Sequence, residues 1–171
     1  MSSHVTKYPD GLTRCSWPKQ DPLYIHYHDT EWGVPVRGDD AMFERVSLEG
    51  FQAGLSWITI LKRREGFRKA FKNFEVSKVA RMGESDIDKL MGNEAIIRNR
   101  AKIASTISNA KITKALDQSL SELIWSHAPK GKNQSASAKN FEVLATSPES
   151  ENLSRALRKL GYGFVLSLIH I

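Results

Sequence analysis

Cysteine is nearly absent: Cys15 is the single thiol in 171 residues. One thiol excludes an internal disulfide, and such scarcity fits a reducing cytoplasm. Long apolar runs are missing too. No stretch of about 18 apolar residues occurs, so no membrane-spanning helix and no membrane partner are expected. The start, Met1-Ser2-Ser3-His4, lacks the apolar centre of a signal peptide. The phosphate-cradling P-loop, the dinucleotide-binding glycine pattern, the HExxH zinc pair and the GxSxG elbow are all absent. Their absence weighs against nucleotide hydrolysis, zinc proteolysis and serine hydrolysis. Strand periodicity is scarce: nothing alternates at period two for long, and 164–171 is the sole strand candidate. Internal repeats are not found.

What remains reads as one all-α domain. The chain is 40% hydrophobic, enough for one core. Lys and Arg number 25 against 19 acidic residues, giving a net charge of +6 and a pI near 9.5, which favours a polyanionic partner. Residues 1–13 are polar and read as a loose tail. Asp21-Pro22 has the form of a helix cap followed by proline in the first turn. That helix runs to about Trp32, before Gly33 and Pro35. Gly38-Asp39-Asp40 opens a second helix. A third carries Trp57, Ile58, Ile60 and Leu61 and then a basic cluster from Lys62 to Lys72. Short helices begin at Ser77 and Glu84, a turn spans 90–100, and helices follow over 101–115 and 120–125. Residues 130–139 read as a polar surface loop. A last helix starts at Ser147-Pro148-Glu149 and ends at Gly161.

The second helix holds the most informative stripe. Met42, Val46, Glu49 and Ala53 are spaced i, i+4, i+7, i+11, so they share a face. Three are apolar, which turns the stripe inward and takes the Glu49 carboxylate with it. A buried carboxylate is costly unless paired. It is either a structural group bonded to a helix N-terminus or an arginine, or the floor of a pocket for a polar or cationic ligand. Gly50 and Gly54 each weaken a helix by roughly 1 kcal/mol relative to alanine. Their spacing points to a break or a close backbone approach near Gly54.

Tyr24, Tyr27 and Trp57 accompany Glu49 as a possible cage for a flat cationic ligand. Stacking is worth roughly 1–3 kcal/mol per base. A cation over a ring adds about 0.5–2 kcal/mol. The plainer alternative is ordinary aromatic packing, and Trp17, Trp32 and Trp125 read as core. Cys15 and His28 are either half of a tetrahedral zinc site, which needs four ligands, or a buried packing cysteine beside an unrelated histidine. Residues 88–103 have the form of a helix-hairpin-helix. Its tight turn presents backbone N–H groups to a phosphate at a helix N-terminus. Arg98, Arg100 and Lys102 add charge for flanking phosphates, although Ala95 and Ile97 stand where such turns commonly carry glycine.

Three of these runs together resemble a known family. Arg14-Cys15-Ser16-Trp17 with Asp21-Pro22-Leu23-Tyr24-Ile25-His26-Tyr27-His28-Asp29-Thr30-Glu31-Trp32-Gly33-Val34-Pro35 is similar to the N-terminus of the 3-methyladenine DNA glycosylase I family. So are Leu48-Glu49-Gly50-Phe51-Gln52-Ala53-Gly54-Leu55-Ser56-Trp57 and Ile96-Ile97-Arg98-Asn99-Arg100-Ala101-Lys102-Ile103. The likeness covers about residues 14–165. It implies an all-α, helix-hairpin-helix DNA glycosylase-like helical bundle. It implies a monomer that removes 3-methyladenine from alkylated double-stranded DNA by hydrolysing the N-glycosidic bond. It implies that Glu49 contacts the excised base and that Tyr24, Tyr27 and Trp57 wall it. Gln52 and Leu55 are implied to lie near the gap left by the flipped nucleotide, and Cys15 and His28 to ligate a structural zinc.

Residues 166–171 depart from that pattern. The family continues into a further helix whose His and Cys complete the zinc site. On this reading half of that site is missing from this chain, whose ending is truncated or altered. Family members lack the Asp that related glycosylases use to stabilise an oxocarbenium ion. Asp117 is the nearest candidate here. Two rival readings are a non-catalytic helix-hairpin-helix DNA-binding module and a small-molecule enzyme with a cationic substrate.

Overall fold

A computed structural model describes residues 5–129 and 146–165. The loop at 130–139 and the ending at 166–171 therefore lie outside the described residues. Nine α-helices dominate what is described. The supposed tail instead contributes β1 (Val5–Lys7), which pairs antiparallel with β2 (Thr13–Cys15), Thr6 opposite Arg14. Strands of three residues are too short to display a period, which is why the sequence reads as coil.

Helix α1 (Pro22–Thr30) starts as its cap requires. The Asp21 carboxylate accepts from the N–H groups of Leu23 and Tyr24 at 3.0 and 3.2 Å, satisfying two donors that have no partner inside the helix. Helix α2 (Asp39–Gln52) is the central element and touches α3, α5, α7 and α8. Asp39 and Asp40 sit in its first turn, where the helix dipole favours negative charge. Both also reach outward. Asp39 accepts from the Ser121 N–H at 2.9 Å, and Asp40 from the Val76 N–H at 2.8 Å.

The expected third helix is two: α3 (Trp57–Leu61) and α4 (Arg64–Ala70). The break at Lys62 and Arg63 redirects the basic cluster. Arg64 bridges Glu31 at 2.7 Å and Glu44 at 2.8 Å, and Arg68 joins Glu44 at 2.9 Å. Much of this positive charge is therefore neutralised within the fold. Behind α4 the core is phenylalanine-rich. Phe43, Phe51, Phe67, Phe71 and Phe74 are fully buried, with Phe51 and Phe67 ring centres 4.5 Å apart.

The remaining described helices are α5 (Val76–Val79), α6 (Glu84–Met91), α7 (Arg100–Lys114), α8 (Leu120–Ser126) and α9 (Pro148–Lys159). Helices α6 and α7 flank the turn at 92–99 and form the hairpin. The Asn99 side chain caps α7 by accepting from the Lys102 N–H at 3.1 Å. Helix α7 buries an apolar stripe, Ile103, Ile107 and Ala110. Beside it runs a buried polar stripe, Lys102, Thr106, Asn109 and Thr113. Residues 164 and 165 are not a strand.

Candidate active site

Helix α1 brings Tyr24 and Tyr27 onto one face, with ring centres 6.4 Å apart. Trp57, in the first turn of α3, stands 5.7 Å from Tyr27. These three rings and Glu49 of α2 surround one cavity of about 170 Å³, and Gln52 lines it as well. Two further walls are Trp17 and Trp32, which the sequence reading assigned to the core. They bracket α1, one before its cap and one after its end, and their rings meet edge-on at 5.4 Å. Bracketing of an aromatic helix by two tryptophans was the available signal. Trp125 lies elsewhere and donates from its indole nitrogen to the Val36 carbonyl at 2.8 Å.

Glu49 is 9% exposed and makes the cavity floor polar. Burial pushes its carboxyl up to about 7, against the pull of Arg45 one turn earlier. Arg45 does not neutralise it, because its guanidinium pairs with Glu31 at 3.1 Å. The structural alternative for Glu49, a tight pair with an arginine or a helix N-terminus, is therefore not what the fold builds. The Trp57 indole N–H is buried and has no hydrogen-bond partner. Flat walls over an acid floor match a flat, positively charged heterocycle.

Both glycines of the α2 end have distinct uses. Gly50 permits close approach: a Cβ there would stand 3.0 Å from the Phe164 carbonyl oxygen. Gly54 makes the break, at φ +78°, which L side chains rarely adopt. Leu55 follows, 39% exposed. Its N–H returns to the Gln52 carbonyl at 2.6 Å, so a tight turn presents an apolar side chain at the surface.

The hairpin cations behave differently from one another. Arg98 is exposed, 3.7 Å from Glu94. Arg100 is held by Glu84 and by Asp88, the latter at 2.7 Å. Lys102 requires a correction. Expected on a flanking phosphate, it is buried, and its Nζ donates to the carbonyls of Phe51 and Ala53 at 2.8 and 2.6 Å. Its place on the buried polar stripe of α7 is the reason. Asp117 is exposed and does not line the cavity.

Cys15 and His28 do stand together: the Cys15 N–H donates to His28 Nε2 at 3.4 Å. The other ring nitrogen lies 2.8 Å from Asp29. Arg14 grips Asp10 and Asp29, so the β1–β2 pair is pinned to α1 through Asp29, and Arg14 holds the Asp29 carboxyl down to about 2. Burial pushes the Cys15 thiol up from its ordinary value. Among the described residues no group of three or more His, Cys, Asp or Glu could hold a metal ion. These two donors alone do not fit a four-ligand zinc site.

The sequence matches the profile of the methyladenine glycosylase family over residues 17–170. It is 42% identical to the Escherichia coli (strain K12) DNA-3-methyladenine glycosylase 1 over 157 residues, covering 90% of this chain and 84% of that protein. A crystal structure of a 3-methyladenine DNA glycosylase I superposes with a TM-score of 0.80 at 42% identity, covering 90% of this chain and 86% of the other. A Staphylococcus aureus 3-methyladenine DNA glycosylase I, studied for 3-methyladenine recognition, superposes at 0.76 with 34% identity. That match covers 88% and 82% of the two chains.

Proposed function

The chain belongs to the methyladenine glycosylase family, and from that membership we propose that it is a DNA-3-methyladenine glycosylase. It hydrolyses the N-glycosidic bond of 3-methyladenine in alkylated, double-stranded DNA and acts as a monomer. The observation that carries this reading is the aromatic cavity floored by an acid with a pKa near 7. A non-catalytic DNA-binding module would need no such cavity, and a small-molecule enzyme would need no hairpin.

The chemistry asks little acid catalysis of the protein. Methylation at N3 makes the base a cation, and cleavage of its bond to C1′ returns the bonding pair to the base and neutralises it. Water adds its oxygen to C1′, and its proton passes to solvent. The protein must extract the base from the stack, hold it and admit that water. Extraction costs a few kcal/mol, offset by stacking of roughly 1–3 kcal/mol per base. Tyr24, Tyr27 and Trp57 stack on the base, with Trp17 and Trp32 closing the recess. Ionised Glu49 accepts hydrogen bonds from the cation and rejects neutral adenine by charge rather than by size. Leu55 fills the gap left in the duplex, and Gln52 lies beside it. Arg98 and the capped start of α7 meet phosphates.

The test is release of free base. DNA treated with a methylating agent is incubated with the protein, and 3-methyladenine is separated and quantified. Release above spontaneous depurination supports the reading. Salt-sensitive duplex binding without release would overturn it in favour of a binding module.

A further inference from the structure

Of the hairpin cations Lys89, Arg98, Arg100 and Lys102, only Lys102 is turned inward. Its ammonium reaches across to the end of α2 and meets the carbonyls of Phe51 and Ala53 at 2.8 and 2.6 Å. Carbonyls at the last turn of a helix have no acceptor duty inside the helix. A cation there satisfies them and faces the negative end of the helix dipole. The same residue belongs to the first turn of α7, where its N–H is bound by the Asn99 cap and its carbonyl accepts from the Thr106 hydroxyl at 3.0 Å. Lys102 thus joins the start of one helix to the end of another 49 residues away in sequence.

What the α2 terminus carries makes this junction consequential. Glu49 and Gln52 lie in its last turns and line the cavity, and Leu55 follows the Gly54 break. On the glycosylase reading, the α7 start is the part of the hairpin that meets the DNA backbone. We propose that Lys102 is a positioning residue. It fixes the α2 terminus, and with it Glu49, Gln52 and Leu55, at one distance and angle from the hairpin that grips DNA. A base drawn from a duplex anchored at α7 then arrives where the acid floor is. For what is assayed, the inference rests on the glycosylase reading.

The experiment compares Lys102→Met and Lys102→Arg with the wild type. Single-turnover release of 3-methyladenine should fall by about tenfold to a hundredfold in Lys102→Met, the scale of a misplacement near 1 Å. Duplex affinity and its salt slope should stay unchanged, because no phosphate contact is lost. Lys102→Arg keeps the charge, but its wider fork does not fit between carbonyls 2.6 and 2.8 Å from Nζ, so its release rate should also fall. A phosphate contact predicts the reverse: a salt slope lower by about one in Lys102→Met and near-normal release in Lys102→Arg. Either of those outcomes, or unchanged release in Lys102→Met, overturns the proposal. So does failure of both variants to fold, which would leave a role in folding alone. A wild type that releases no base would sink the assigned reaction. Lys102 would then be judged by the Trp57 indole N–H resonance, which should move in Lys102→Met while the core signals stay in place.

Discussion

Lowering the pH from about 8 to about 6 should switch the site off through one group. Burial holds the Glu49 carboxyl near 7. Across that interval its ionised share falls from about nine tenths to about one tenth. Only the anion attracts the cationic base. Activity is therefore present above about pH 7 and lost as pH falls through it, which is the direction for a carboxylate that works ionised. Profiles of kcat/KM report the free enzyme, so this value is the one to compare. A drop of up to about tenfold is expected between pH 8 and 6, levelling off below that toward the rate of the neutral side chain. Glu49→Gln keeps the shape and removes the titration. It should show a flat profile about tenfold to a hundredfold below the wild-type plateau, because a hydrogen bond to a charged group contributes about 1.5–3 kcal/mol. The assay is release of 3-methyladenine from methylated duplex at constant ionic strength, corrected for spontaneous loss. A flat wild-type profile would refute the reasoning, as would a Glu49→Gln profile that still titrates near 7.

The same group makes a stability prediction of opposite sense. Its pKa in the fold lies above the usual 4.5, so the fold prefers the protonated form. Stability is fully present below about pH 4.5 and declines as pH rises through about 7, by up to about 3 kcal/mol. Glu49→Gln should melt above the wild type at pH 8, and scanning calorimetry should find the gap closing toward pH 4.5. At the hairpin, Arg98→Ala should weaken duplex binding and lower the salt slope by about one. Arg100→Ala should lose about 0–1 kcal/mol of stability, since its partners are exposed acids on α6. Asp21→Ala removes the α1 cap and should cost about 1 kcal/mol in denaturant melts.

Much of this was legible in the sequence where the rule is local. The Asp21-Pro22 cap, the Gly38-Asp39-Asp40 start and the inward turn of Glu49 follow from spacing and from where side chains point on a helix. The departures are long-range. Nothing near Lys62 and Arg63 marks a helix break. With the break in place, Arg64 and Arg68 reach Glu31 and Glu44, partners far away in sequence. Trp17 and Trp32 were assigned to the core because a tryptophan beside a cavity and one inside a core look alike in sequence. Lys102 sat in a basic run and passed for surface charge. The clue was subtler: it heads a row of polar residues, Thr106, Asn109 and Thr113, on the buried side of α7. Asn109 uses that burial to hold the backbone of Gly163 through both its N–H and its carbonyl.

The tyrosine wall is fastened at its two ends. Lys62 meets Asp21 at the start of α1, and Arg45 and Arg64 meet Glu31 just past its finish. Between those clasps is a helix of nine residues with Tyr27 as its only buried member. Such a segment can come away while the phenylalanine centre stays folded, since opening free energies differ widely within one protein. Warming should therefore abolish recognition before the molecule as a whole unravels. Amide protons of α1 should exchange sooner than those of α2, so that a repair site can be lost and regained without a global melt.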